Sequence, residues 1–346
     1  MPVLSITAQD AYPRAHGTDT NLCALLRSLT KPEDTGKPVV IMVHGFKYLP
    51  GSKNGCPHQT IFSENPQRHK SNPRIISWPR HLHLTRHNAG HAISFGWPAR
   101  GNISQVYRDA ETAGHALAHL ITLIKTKCPD RPIHAVGHSL GARVILSALR
   151  QPDAQPLSRA ILLAPAEFTK TTYDALNAPA GRQTDMLVVT SRENDLFDLM
   201  LELFVTPAHK GDRTISHKGI TAANVRTLQL DHIDSLSALK DAGYPIEPPK
   251  NRICHWSPYL RPGVFRLYRA YLSGKITLNE LGVILPDKMT PRWSRLLPTL
   301  YAIKQRWPTA DQTGASLPKA GLRHEPARAP ARSSGSPRTE HHLRRK

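Results

Sequence analysis

Several features are scarce in this chain of 346 residues, and each scarcity excludes a class of protein. The four cysteines are widely scattered, which argues against a disulfide framework and fits a reducing compartment. They are Cys23, Cys56, Cys128 and Cys254. No apolar run reaches the ~18 residues that would span a bilayer. Because the amino terminus also lacks a basic region followed by an apolar core, it is not typical of a signal peptide, and we expect a cytoplasmic protein.

Acidic residues are also scarce, with 26 Asp and Glu against 46 Lys and Arg, a formal net charge of +20. Residues 319–346 hold eight basic and two acidic residues, and residues 47–90 hold seven and one. A basic surface attracts nucleic acids and anionic membranes, but the tail lacks the interleaved aromatic residues of a base-stacking surface. We therefore expect no specific nucleic-acid site and, through the basic tail, only weak contact with anionic surfaces. The oligomeric state is not predicted.

Short apolar runs alternate along the chain with segments of helical periodicity. The predicted strands cover residues 38–43, 92–98, 133–138, 158–165, 186–190 and 225–230. Helical spacing of apolar residues occurs at 22–29, 103–127, 169–177 and 262–285. Strands that alternate with helices imply parallel crossovers. The sequence therefore predicts an α/β protein with a mostly parallel central sheet and helices on both faces.

The chain divides by composition into three parts. Residues 1–36 are predicted to be an N-terminal segment packed on the core, and residues 37–285 the α/β domain. A basic insertion at 47–90 follows the first predicted strand of this domain and lacks periodicity, so we expect a loop over part of an active-site mouth. Residues 286–346 form a Pro/Arg-rich extension, which we expect to be disordered beyond about residue 310.

A serine between two glycines stands where a predicted strand gives way to a predicted helix. The segment is Gly137-His138-Ser139-Leu140-Gly141. A serine held in a sharp, strained turn brings neighbouring backbones so close that only residues without a Cβ fit beside it. Strand, serine turn and helix in this order are typical of a nucleophile elbow. Ser139 is therefore the predicted nucleophile, and Gly137 and Gly141 support it.

Residues 36–275 resemble the α/β-hydrolase superfamily. Three motifs are similar to those of a group of bacterial α/β hydrolases of unknown function, which are esterase- or lipase-like. They are Phe95-Gly96-Trp97-Pro98, Tyr107-x-Asp109 and the serine turn at 137–141. The resemblance implies the α/β-hydrolase fold, an esterase-like enzyme, and catalytic residues in the order serine, acid, histidine.

The resemblance also implies two backbone donors for an oxyanion. One is the N–H of Leu140, the residue after the nucleophile. The other lies in the loop after the first strand of the domain, where His44-Gly45-Phe46 matches the His-Gly signature of the superfamily. Phe46 is the expected donor, and His44 is expected to stabilise the loop.

The acid is expected after the strand at 186–190. Asp195 has the offset that the resemblance implies, while Glu193 and Asp198 compete with it. A carboxylate in a polar loop also commonly caps a helix, so the alternatives stay open at this point.

The base is the least constrained of the predicted site residues. His255 precedes the last predicted helix, as the resemblance implies, although a loop of some twenty residues must return it to the sheet. His232 directly follows the last predicted strand and is the alternative base. His209 and His217 are weaker candidates.

These residues predict a serine hydrolase that cleaves an ester, like a carboxylesterase, through a Ser-His-Asp triad and an acyl-enzyme. The expected partner is a small-molecule ester or acyl substrate. We expect no cofactor and no metal site, because no pair of the histidines in the insertion has convincing zinc spacing next to cysteines. A site that joins Cys56 and His58 to Cys254 and His255 is the less favoured alternative to ordinary loop residues. Two alternatives remain. One is a thioesterase or acyltransferase with the same triad and a phosphate-bearing acyl donor, and the other is a non-catalytic binding protein on the same fold.

Overall fold

The structure is a computed structural model that describes residues 3–30, 36–66, 72–86 and 90–297. All these residues belong to one unit built on an eight-stranded sheet with the order β2-β1-β4-β3-β5-β6-β7-β8. Every neighbouring pair is parallel except the β1–β2 hairpin at the edge. The strands are β1 Leu4–Gln9, β2 Tyr12–Ala15, β3 Val39–Val43, β4 His91–Gly96, β5 Ile133–His138, β6 Arg159–Leu163, β7 Asp185–Thr190 and β8 Val225–Gln229.

Helices cover both faces of the sheet. They are α1 Leu22–Leu26, α2 Trp78–His81, α3 Ile103–Lys127, α4 Leu140–Leu149, α5 Thr169–Asn177, α6 Pro179–Arg182, α7 Asp195–Phe204, α8 Ile233–Asp241, α9 Ser257–Leu260, α10 Val264–Leu272 and α11 Leu278–Ile284. Alternate residues of β3 point to opposite faces: Ile41 joins the core under α3 and α4, and Met42 joins the core under α10. The predicted α/β-hydrolase fold is confirmed.

The N-terminal segment contributes two strands that the sequence analysis missed. In β1, Leu4, Ile6 and Ala8 are buried while the residues between them are partly exposed. This alternation has the period of two that a strand produces, and it is visible in the sequence. β1 adds to the parallel sheet beside β4, so the segment extends the sheet.

The insertion after β3 has more structure than the predicted loop. It contains a 3₁₀ turn at Pro57–Gln59 and the short helix α2. Ile61, Phe62 and Trp78 are buried in the core on the α10 face of the sheet. The missed signal is this small set of large apolar residues among Pro, Asn and Arg.

The chain continues past α11 and contacts the turn that precedes α7. The backbone O of Thr290 accepts a hydrogen bond of 2.7 Å from Arg192 Nε, and Thr290 N donates to Gln229 Oε1 at 2.9 Å. The disorder predicted beyond about residue 310, and the contact predicted through the basic tail, concern residues outside the described ranges. Within those ranges, no helix combines the length and the hydrophobicity needed to cross a membrane.

Candidate active site

Ser139 lies at the tip of a strained turn between β5 and α4. Its φ of 56° and ψ of −122° are unusual for a residue with a side chain. Three backbone hydrogen bonds hold it there: Ser139 N donates to Leu163 O at 2.9 Å, and Ser139 O accepts from Ala142 N at 3.0 Å and from Ala166 N at 3.1 Å. A Cβ on Gly141 would lie 2.4 Å from Val43 O, so only glycine fits at that position. The turn presents Ser139 to a cavity of about 530 Å³.

The loop after β3 lies directly against this serine. A Cβ on Gly45 would lie 2.8 Å from the Cβ of Ser139, which explains why a glycine precedes Phe46. Phe46 and Leu140 both line the cavity beside Ser139. Within the described part of the chain, neither of their backbone N–H groups donates a hydrogen bond. Two free donors beside a serine can stabilise an oxyanion.

His44 fixes the conformation of the same loop. Its Nε2 accepts a hydrogen bond of 3.0 Å from the backbone N of Trp97, so its proton is on Nδ1, which donates to Gly45 O at 2.9 Å. The Trp97 indole donates to His44 O at 3.0 Å, and the two rings stack. Burial lowers the pKa of His44 to about 3, so the ring stays neutral. His44 therefore joins its own loop, at Gly45, to the end of β4, at Trp97. These are contacts that the predicted role of His44 in stabilising the loop requires.

His255 lines the same cavity as Ser139. Its ring stacks on Phe197 with a centroid separation of 4.6 Å, and its backbone O accepts a hydrogen bond of 3.0 Å from His138 Nε2. Nδ1 donates to Asn194 Oδ1 at 2.6 Å, which leaves Nε2 as the nitrogen with a lone pair. Burial, with smaller contributions from His138 and Arg74, holds the pKa of His255 well below its usual value. His255 is thus a neutral imidazole with a fixed tautomer.

The acid predicted from the sequence does not contact this histidine. Asp195 Oδ2 accepts a hydrogen bond of 2.6 Å from Trp293 N, and Oδ1 lies 3.5 Å from Arg192 Nη1. The residue that meets His255 is Asn194, one position earlier. The cause is the 3₁₀ turn Arg192–Asn194, which leads directly into α7, because consecutive residues there point in different directions. The structure therefore corrects the placement of Asp195.

The other two acid candidates have different environments. Glu193 forms a buried ion pair with Arg261 and accepts a hydrogen bond of 3.1 Å from Ser191. Asp198 lines the cavity behind Asn194: Asn194 Nδ2 donates to Asp198 Oδ1 at 3.0 Å, and Ser216 Oγ donates to Oδ2 at 2.5 Å. Burial raises the pKa of Asp198 to about 7.

Asp198 decides which end of the Asn194 amide faces the histidine. An ionised carboxylate only accepts hydrogen bonds, so the amide nitrogen points to Asp198 and the amide oxygen points to His255. The sequence analysis considered Asp198 but missed Asn194 and Ser216. The available signal was the spacing of Asn194 and Asp198, since residues four apart are neighbours on a helix.

The alternative base lies elsewhere. His232 precedes α8, where its Nδ1 lies 3.0 Å from Ser235 Oγ and its Nε2 3.6 Å from Asp234 Oδ2. His209 pairs with Asp174 at 2.8 Å. His232, His209 and also His217 are absent from the cavity lining, whereas His255 belongs to it. Among the described residues, no group of three His, Cys, Asp or Glu could hold a metal ion.

The parallel sheet, with a serine at a strained turn between β5 and α4, gives the chain the α/β-hydrolase fold. Residues 22–166 match the family described as "Alpha/beta hydrolase of unknown function (DUF900)".

Two solved structures are similar to the chain. The catalytic core domain of acetyl xylan esterase from Trichoderma reesei is 11% identical, with 72% of this chain and 100% of that chain covered and a TM-score of 0.31. The peroxisomal alpha-beta-hydrolase Lpx1 from Saccharomyces cerevisiae is 9% identical, with 85% and 89% covered and a TM-score of 0.31. No curated protein matches the chain.

Proposed function

We propose that the chain is a serine hydrolase that cleaves an ester, as a carboxylesterase does, with Ser139 as nucleophile and His255 as base. One observation carries this proposal: the strained Ser139 shares a cavity with a neutral histidine whose Nδ1 proton is held by Asn194. In place of an aspartate, the histidine is oriented by an asparagine that is itself oriented by Asp198.

The reaction then proceeds in two halves. His255 Nε2 takes the proton of Ser139 as Oγ bonds to the acyl carbon, and the N–H groups of Phe46 and Leu140 stabilise the oxyanion. The bond between the acyl carbon and the alcohol oxygen breaks, and His255 returns the proton to that oxygen. Water then attacks the acyl carbon while His255 accepts a proton from it. The bond between that carbon and Ser139 Oγ breaks as His255 returns the proton to Oγ, which releases the acid and restores the serine. The imidazolium formed in each half is stabilised by the Asn194 oxygen. The Asp198 carboxylate, on the other side of the Asn194 amide, adds to this stabilisation.

Ser139→Ala should abolish labelling of the chain by a fluorophosphonate probe, because the probe reacts with an activated serine. The measurement is gel fluorescence after labelling, with circular dichroism to confirm that the variant is folded. Ser237→Ala is the matched control, since Ser237 is exposed on α8, and it should label like the unmodified chain. Undiminished labelling of Ser139→Ala would contradict the assignment of the nucleophile.

Asp198 should control the acid limb of the pH profile. With its pKa near 7, the carboxylate loses its charge as the pH falls through 7, and the imidazolium loses that stabilisation. We therefore expect kcat/KM to fall with a midpoint near pH 7, while His255 itself is still neutral.

Asp198→Asn keeps the shape of this side chain and removes the titration. Its kcat/KM at pH 8 should be lower by about 10-fold or more, which corresponds to the ~1.4 kcal/mol or more that a nearby charge supplies. The acid limb of the variant's pH profile should move below pH 6.5, because protonation of His255, whose pKa is held well below that value, would then determine it. Profiles of both proteins between pH 5 and 9 test this, and an unchanged midpoint would remove Asp198 from the mechanism.

A further inference from the structure

The cavity around Ser139 has two chemically different parts. One part is apolar and comes from α7 and the start of α3. The hydroxyl of Ser104 donates a hydrogen bond to the backbone O of Phe204, which joins the two helices. The apolar residues in this part are Ile103, Phe197, Met200, Leu201 and Phe204. Such a surface accommodates hydrocarbon, because apolar groups gain free energy by leaving water.

The other part is cationic and comes from the insertion after β3. Lys47 directly follows the oxyanion donor Phe46, and its backbone is held at a φ of 77° by a hydrogen bond of 2.6 Å from its N to Ala99 O. The Arg74 guanidinium lies 3.4 Å from the ring centroid of Trp256, the residue after His255. Both side chains are exposed and line the cavity.

These two cations have no carboxylate partner within the described residues. The one carboxylate among the described lining residues is Asp198, which is buried and already bonded to Asn194 and Ser216. The accessible charge of the cavity is therefore positive. Unpaired cations in a cleft attract anions, and a guanidinium matches the geometry of a carboxylate or a phosphate.

The position of Arg74 assigns the anion to one end of the substrate. In ester hydrolysis the base returns its proton to the departing alcohol, so the alcohol lies on the side of His255. Arg74 is on that side, since it stacks on Trp256 and its charge acts on His255. We propose that the substrate joins an apolar acyl group to an alcohol that carries an anionic group, a carboxylate or a phosphate. This inference rests on the proposed function.

A matched pair of esters tests the inference. One is the butyrate ester of a nitrophenol with a carboxylate on its ring, and the other is the same ester with that carboxylate methylated. At low salt we expect kcat/KM for the anionic ester to exceed that for the neutral ester by about 10-fold, within the range of electrostatic steering. The ratio should approach one at ~1 M salt, where the screening length is only ~3 Å. A third ester with a phosphate in place of the carboxylate shows which anion is preferred.

Two variants connect the ratio to the cavity. Arg74→Gln and Lys47→Gln should each lower the ratio several-fold, whereas Arg80→Gln and Lys53→Gln should leave it unchanged. The control residues are exposed, belong to the same insertion, and do not line the cavity. A ratio of one in the unmodified chain, or a ratio that neither cavity variant lowers, overturns the inference and leaves the hydrolase intact. Failure to hydrolyse any of the esters, together with failure to label Ser139, overturns the proposed function itself.

Discussion

His255→Ala should lower kcat/KM for a short nitrophenyl ester by at least about 10³-fold, the scale of losing a general base that acts together with its nucleophile. The reason is geometric. His255 and Ser139 line one cavity, and the tautomer of His255 is fixed by a hydrogen bond of 2.6 Å to Asn194. Among the described residues that line the cavity, the groups left to accept the serine proton at pH 7 would be the buried Asp198 and the neutral His138.

His232→Ala is the matched control for this experiment. His232 interacts with Ser235 and Asp234 at the start of α8, and it does not line the cavity, so we expect its removal to change kcat/KM less than twofold. Both variants are assayed at pH 8 after thermal unfolding has shown that each is folded. Loss of activity in the His232 variant alone would reverse the assignment of the base.

Glu167→Ala should lower the free energy of unfolding by about 3–5 kcal/mol, the typical cost of leaving one partner of a buried ion pair alone. The Glu167 side chain is 1% exposed and pairs with Arg143 of α4, whose side chain is 5% exposed. Tyr107 Oη donates to Glu167 at 2.5 Å, and the guanidinium lies over the Tyr107 ring. The measurement is equilibrium unfolding by urea.

Glu111→Ala provides the comparison, because Glu111 also pairs with Arg143 but its side chain is 42% exposed. An exposed pair contributes about 0–1 kcal/mol, so this variant should lose much less stability. Replacing both buried partners by apolar residues, as in Arg143→Met with Glu167→Leu, should recover most of the loss. Equal losses for Glu111→Ala and Glu167→Ala would show that the buried pair contributes no more to the free energy of unfolding than the exposed pair.

The central sheet could be predicted from the sequence because its strands are continuous apolar runs. All five residues of β3 and all six of β5 are buried, so sequence and environment agree there. The edge hairpin was missed since its buried residues alternate with polar ones over only a few positions. Within α7, which was also missed, Leu203 and Phe204 are exposed, so the apolar pattern does not identify a buried face.

The candidate site was predictable where a local motif determines the geometry and not where distant segments do. Ser139 and the His44 loop follow from short motifs that specify their own backbone shape. The orienting residue depends on a 3₁₀ turn that shifts the side chains by one position. The spacing of four between Asn194 and Asp198 points to Asn194 but does not exclude Asp195, which is three positions from Asp198. The return of His255 to the sheet depends on long-range hydrogen bonds, including one of 2.9 Å from Cys254 N to Glu193 O.

The segment after α11 affects the order in which parts of the chain can fold during synthesis. Among the residues that the structure describes, the last regular element ends at Ile284, yet the turn that carries Asn194 is held by Thr290 and Trp293, about a hundred positions later in the chain. Folding during synthesis starts from the amino terminus, so the strands can pair before these residues have left the ribosome. The turn of Ser139, which is held by Leu163 and Ala166, can therefore form before the residues that hold the turn of Asn194 have been made.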